Sequence, residues 1–140
     1  MAGRDIHQGQ LDRLFTAALE AGIARIEKDG HFYPLVFELR ANGVIQNVAV
    51  LDLASVNGAE SVMDRLAELL RPRAEEGTIL AAAIIQHRAA ENSFQLQLRA
   101  PNYSQDVTIP FEIAREGVIR RRRRVSLGEF AAVPADNAIF

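Results

Sequence analysis

Residues 79–85 read Ile-Leu-Ala-Ala-Ala-Ile-Ile, an uninterrupted apolar run that follows Gly77 and ends at Gln86. A short apolar run bounded by turn and polar residues is typical of a strand buried on both faces, although a helix is also compatible with it. We therefore predict a strand from Thr78 to Arg88, placed centrally in a sheet.

Two alternating segments follow this run toward the C-terminus. Phe94, Leu96 and Leu98 alternate with polar residues, and the same period of two returns from Val107 to Ile113. This period indicates strands with one buried face. Pro110 lacks an amide donor, so we expect its strand to lie at a sheet edge or to be bulged there. The strand meander is predicted over about 78–127, with a C-terminal tail over 128–140.

A hairpin is predicted before the central run, over about 33–51. Leu35, Phe37 and Leu39 alternate with less apolar neighbours, and Asn42-Gly43 supplies the turn. This dipeptide tolerates the positive φ angles of a type I′ turn. That turn would pair Ala41 with Val44 and Phe37 with Val48.

Two amphipathic helices are predicted from apolar residues that recur at steps of three and four. The first runs over about 6–28, and Gly30 is suited to the left-handed residue that follows a helix. The second runs over about 58–76 and ends before Gly77. Pro72 lies inside the second helix and predicts a kink or an early end near Leu70.

This order of elements predicts one α+β domain over residues 1–140. Its antiparallel sheet has five to six strands with two helices packed on it, in the order α-β-β-α-β-β-β(-β). The two helices are expected, most simply, on one face of the sheet.

The turn at Asn42-Gly43, the helix ending in Gly77, the Ala/Ile-rich strand and the segment Pro101-Asn102-Tyr103 resemble a family of small uncharacterised bacterial α+β proteins. The resemblance covers about residues 10–113 and implies no activity, cofactor or catalytic residue. More distantly, the order of elements is similar to roadblock, longin and profilin-like folds. That similarity implies a dimerisation or scaffold module.

Composition excludes several classes of function. The chain has no cysteine, which removes disulfides, thiolate metal sites and a cysteine nucleophile. Its 16 basic and 18 acidic residues give a net charge of −2, so there is no overall field to attract nucleic acid or an anionic membrane. The polar N-terminus has no apolar segment of signal-peptide length, and no apolar stretch is long enough for a membrane span. We therefore expect a cytoplasmic protein.

Catalytic residues are hard to find in the sequence. The three histidines, His7, His31 and His87, have no metal-ligand spacing, and there is no phosphate-binding glycine motif or nucleophile elbow. His31 follows Glu27 and Asp29, so it could act as an oriented base, but complementing the helix dipole explains it more simply. For His87, a solvated position at a strand end is the simpler interpretation. We therefore predict no catalytic residue, no cofactor and no metal.

Arg120, Arg121, Arg122, Arg123 and Arg124 form the most unusual segment of the chain. In a strand from Val118 to Leu127 they would alternate between both faces, with Arg121 and Arg123 on the more apolar face. We expect those two to contact carboxylates or carbonyl oxygens. Tyr103 is a second candidate, either as a recognition residue in a loop or as an aromatic folded over the sheet edge.

The sequence therefore favours a non-catalytic interaction or dimerisation domain. The expected partner is a second copy of the chain, with another protein as an option. The exposed strand edge or the arginine segment would contribute to the contact. One alternative is polyanion or nucleic-acid binding through the arginines, which the net acidity disfavours. The other is an enzyme of unrecognised type, with His31 or Tyr103 as participants.

Overall fold

The apolar run 79–85 forms the middle of a sheet in the computed structural model, which describes residues 8–50, 59–116 and 122–140. The predicted α+β class and the antiparallel sheet are confirmed. The described residues form seven strands, one more than the five or six expected. The elements are α1 (Gln8–Asp29), β1 (Leu35–Arg40), β2 (Ile45–Val50), α2 (Ala59–Glu75), β3 (Ile79–Arg88), β4 (Ser93–Ala100), β5 (Tyr103–Glu116), β6 (Arg122–Leu127) and β7 (Ala131–Pro134).

The sheet has the strand order β2-β1-β3-β4-β5-β6, and β7 pairs with β5 beside this path. The predicted central position of β3 is confirmed, because it lies between β1 and β4 and its residues from Ala81 to Ile85 are fully buried. β2 and β6 end the path, so each has one edge that no strand of the described chain pairs.

The two helices cover opposite faces of the sheet, and the expectation of a single covered face is wrong. Leu14 and Ile26 of α1 pack with Phe37 of β1, whereas Leu66 of α2 packs with Val36 on the other side of the same strand. Successive strand residues point to opposite faces. A strand as apolar on both sides as β3 needs cover on both sides, and this explains why one helix serves each face.

The β1–β2 hairpin forms, but its turn is not type I′. Gly43 is at φ +86, while Asn42 stays out of the left-handed region and accepts the Val44 amide with its side-chain oxygen at 3.1 Å. Phe37 therefore pairs with Asn47 instead of Val48. One extra residue in β2, Val48, restores the predicted register further along, where Val36 pairs with Ala49.

Pro110 lies inside β5, which has neighbours along both sides, so the prediction of an edge strand is wrong. β7 pairs with β5 up to Thr108, and β6 pairs with it from Phe111 onward. Pro110 falls where the neighbour changes, and its carbonyl accepts the Gly128 amide at 2.7 Å. The strand tolerates proline there because neither neighbour requires an amide donor at that position.

Both helices end where the sequence predicts, and only the alternative early end of the second helix does not occur. Gly30, at φ +82, donates its amide to Ile26 at 2.8 Å and ends α1 as predicted. The start expected near Ile6 lies outside the described residues. α2 runs through Pro72 to Glu75, so the early end near Leu70 does not occur.

The segment 128–140, predicted as a tail, adds β7 to the sheet and then closes over α2. The side chain of Asn137 donates to the Ala100 carbonyl at 2.9 Å, and Arg71 of α2 donates to the Ala138 carbonyl at 2.9 Å. Ile139 is buried in the same cluster as Leu66. Four residues are too few to show a period in the sequence, which is why β7 was missed.

Candidate interaction surface

The arginine segment lies at one end of the sheet. Arg122, Arg123 and Arg124 belong to β6, while Arg120 and Arg121 lie outside the described residues. In the β5–β6 ladder, Arg122 is in register with Glu116. An acidic residue therefore stands opposite one of the three arginines of β6.

Arg123 is held by the end of α1. Its Nη1 atom donates to the Lys28 carbonyl at 3.0 Å, and the guanidinium lies over Gly30. The predicted carbonyl contact is thus present, and it is made within one chain. A cation at this place also complements the negative end of the helix dipole.

The outer edge of β6 is also occupied by α1. The carboxylate of Glu27 accepts the Val125 amide at 3.0 Å, and Val125 packs against the core under α1. A side chain bonded to an edge amide keeps that amide from pairing with another strand. The arginine strand is therefore tied to its own helix.

The opposite edge of the sheet, β2, has a different character. Its sequence, IQNVAV, contains neither a charge nor a proline, and Gln46, Asn47 and Val48 are exposed. The Val44 carbonyl accepts the Arg40 amide of β1 at 2.9 Å. Because bonding alternates along an antiparallel pair, the backbone groups of Ile45 and Asn47 face away from β1.

Tyr103 opens β5 instead of standing in a free loop. It pairs with Ala100, and its half-buried side chain packs against the core under α1. The preceding turn uses Asn102 at φ 61. This arrangement favours the interpretation of Tyr103 as an aromatic folded over the sheet.

The histidines lie apart from the surface cavities. The His87 ring is half-buried instead of fully solvated as expected, since it lies 5.7 Å from the Phe32 ring and 5.8 Å from the Phe111 ring. Burial, and secondarily the charge of His31, lowers the pKa of His87. His31 is exposed, and His7 lies outside the described residues. Neither His31 nor Tyr103 lines the three cavities of about 450–540 Å³ that the described residues form.

A charged cluster that the sequence did not predict lies between α2 and β1. The Glu38 carboxylate is 1% exposed and accepts two hydrogen bonds from Arg73, at 2.6 Å from Nε and 2.7 Å from Nη2. These hydrogen bonds raise the pKa of Arg73; burial opposes them, and the charges of Glu38 and Glu76 add to them. Arg40 lies on the same carboxylate, with Nε 3.6 Å from Oε1. Alternation in β1 predicted a solvated Glu38, but α2 covers that face.

Comparisons with known proteins give no match to a family model, to a curated protein or to a solved structure. The resemblance to a family of small bacterial proteins therefore stays a prediction. No helix in the described ranges has the length and apolar character needed to cross a membrane. Within the same ranges, no group of three histidine or acidic side chains is arranged to hold a metal ion.

Proposed function

We propose that the chain is a non-catalytic protein-interaction domain that forms a homodimer by pairing β2 with β2 of a second copy. The observation that supports this is the uncharged edge of β2, whose outward backbone groups at Ile45 and Asn47 have no strand beside them in the described chain. An edge of this kind is a template for pairing. The cytoplasmic location expected from the sequence is kept with this proposal.

A second copy suits this edge because of symmetry. Two β2 strands that meet antiparallel about a two-fold axis place the same set of residues opposite each other. Like charges opposite each other destabilise a strand pair, and β2 has none. The same contact between two β6 strands would bring Arg122, Arg123 and Arg124 against their own copies.

Polyanion binding through Arg120 to Arg124 has less support. Arg123 already donates to a carbonyl of α1, and Arg122 has Glu116 opposite it in the ladder. Phosphate contacts would compete with these neighbours. The proposal therefore moves the interface from the arginine segment to the opposite end of the sheet.

The test is sedimentation velocity on the full chain and on Asn47→Pro, over about 1 to 100 µM. Proline at Asn47 removes an outward amide and leaves the ladder with β1 unchanged. We expect a wild-type dimer, and we expect Asn47→Pro to weaken it at least tenfold while its circular dichroism matches that of the wild type.

Ile113→Lys is the matched control. Ile113 is an apolar residue of β5 that is 38% exposed, and it lies at the other end of the sheet from β2. It should leave the dimer unchanged. A wild-type monomer at 100 µM would contradict the proposal, as would a dimer that dissociates with Ile113→Lys but not with Asn47→Pro.

A further inference from the structure

An open groove of about 450 Å³ lies between α2 and the β1–β2 hairpin. Its volume is in the range of small-molecule sites. Charged and amide groups and aliphatic side chains both line the groove. The lining residues are Val36, Glu38, Arg40, Gln46, Asn47, Val48, Leu66, Leu69, Leu70 and Arg73.

The charged residues that line the groove carry an excess of positive charge. Counted over the residues that line the groove, two guanidinium groups, Arg40 and Arg73, stand against the single carboxylate of Glu38, a net charge of +1. Arg73 takes both carboxylate oxygens as a bidentate partner and also has Glu76 within electrostatic range. Arg40 is therefore the less compensated of the two.

Arg40 also has an unsatisfied donor. Its Nε is buried and makes no hydrogen bond with the described residues, because the nearest Glu38 oxygen is too far away at 3.6 Å. The side chain is 35% exposed overall, so the guanidinium remains accessible from the groove. A buried donor without an acceptor is unfavourable, so Glu38 holds Arg40 less firmly than it holds Arg73.

The aliphatic side chains that line the groove can contact the apolar part of a ligand. Leu66 and Leu70 of α2 are buried behind it, and Leu69 and Val48 stand exposed at its rim. Ligand sites combine such apolar walls with a few polar groups that fix orientation.

We propose that this groove binds a small monoanionic amphiphile, a carboxylate on an apolar chain or ring, with the carboxylate on Arg40 and the apolar body against Leu69 and Val48. A single negative charge matches the net +1 of the cluster. A guanidinium also presents a planar fork that fits a carboxylate.

The experiment is isothermal titration calorimetry of the full chain with decanoate below its micelle concentration, with 1-decanol and decylamine as matched probes. Decanoate should bind with one site per chain, decanol at least tenfold more weakly, and decylamine not at all. Removing one charged hydrogen-bond partner is expected to weaken a complex about tenfold or more.

The variants separate charge from fold. Arg40→Gln should weaken decanoate binding at least tenfold, and Arg40→Lys should weaken it less because it keeps the charge. Arg65→Gln, an exposed arginine of α2 that does not line the groove, should leave the affinity within twofold of the wild type. Leu69→Ser changes an exposed residue and should reduce the difference in affinity between decanoate and octanoate.

Absence of saturable decanoate binding up to 1 mM would overturn the proposal. Equal binding of decanoate and decanol, or an Arg40→Gln chain that binds like the wild type, would do the same. Failure of this proposal is distinguishable from failure of the dimer proposal. Asn47→Pro tests β2 pairing without removing a charge from the groove, and Arg40→Gln tests the groove without removing an outward amide of β2.

Discussion

Replacing Arg73 by methionine tests the charged cluster under α2. The change removes two charge-assisted hydrogen bonds, of 2.6 and 2.7 Å, from a carboxylate that is 1% exposed. Breaking a buried ion pair from one side destabilises a protein by about 3 to 5 kcal/mol. Arg73 is itself 38% exposed, so water already solvates part of its charge and the full penalty does not apply. Arg40 can also approach Glu38, and we therefore expect a loss of about 2 to 3 kcal/mol.

The assay is urea denaturation followed by far-UV circular dichroism, since the chain has no tryptophan, at one fixed protein concentration. Arg65→Met is the matched control, because the exposed Arg65–Glu68 pair should contribute about 0 to 1 kcal/mol. The double variant Glu38→Met/Arg73→Met removes the buried carboxylate together with its bidentate partner, leaves only the partly exposed Arg40, and should regain most of the lost stability. A loss below about 1 kcal/mol for Arg73→Met, or a double variant destabilised by the sum of the single changes, would refute the reasoning.

Two further predictions concern the core under α1 and the aromatic ring cluster. Gly22→Ala should lower the free energy of unfolding by about 0.5 to 2 kcal/mol, because its new Cβ would lie 2.7 Å from the Ile85 Cδ1 atom and this overpacking outweighs the roughly 1 kcal/mol by which alanine is favoured over glycine inside a helix; an unchanged melting temperature would contradict the close packing. The pKa of His87 is lowered, first by burial and then by the charge of His31, so the folded state favours the neutral ring. Stability should therefore be unaffected by this group above about pH 6.5 and should fall as the pH drops below that value. Urea titrations at pH 7.5 and 5 should show a smaller loss for His87→Gln than for the wild type, and equal losses would count against it.

The sequence predicted helices and strands best where the pattern of apolar residues continued over many positions. The alternation from Phe94 to Leu98, the recurrence along α1 and the two-sided apolar run of β3 each predicted the correct element. The apolar run of β3 also implies that both faces of the sheet are covered. Ala82 and Ile84 need cover on the face opposite Ala81 and Ala83. The expectation of both helices on one face is incompatible with this requirement.

Local competition limited the prediction of the hairpin. Asn42-Gly43 is compatible with a type I′ turn, yet the Asn42 side chain can instead accept the Val44 amide, and this second option forms. The choice moves the pairing of Phe37 by one residue. The residue types alone do not decide between these two turns, because their hydrogen bonds are of similar strength.

The charged cluster under α2 lay beyond sequence reasoning for a different reason. Glu38 and Arg73 are separated by 35 positions, and neither interrupts the pattern of its own element. Glu38 occupies a polar position of an alternating strand, which predicts exposure when only one face is covered. Its burial depends on where α2 packs, and that is a tertiary property.

The strands at the two ends of the main path, β2 and β6, differ in what a new strand would have to displace. Pairing at β6 requires the Val125 amide to leave Glu27 and crowds the bond from Arg123 to Lys28. Hydrogen bonds to charged groups contribute about 1.5 to 3 kcal/mol each. Losing both bonds would therefore make pairing at β6 less favourable by about 3 to 6 kcal/mol. Pairing at β2 displaces no strand of the described chain from the backbone of Ile45 and Asn47. The arginines are thus the most conspicuous feature of the sequence, yet the described contacts of β6 tie this strand to α1, which is why the proposed dimer uses β2.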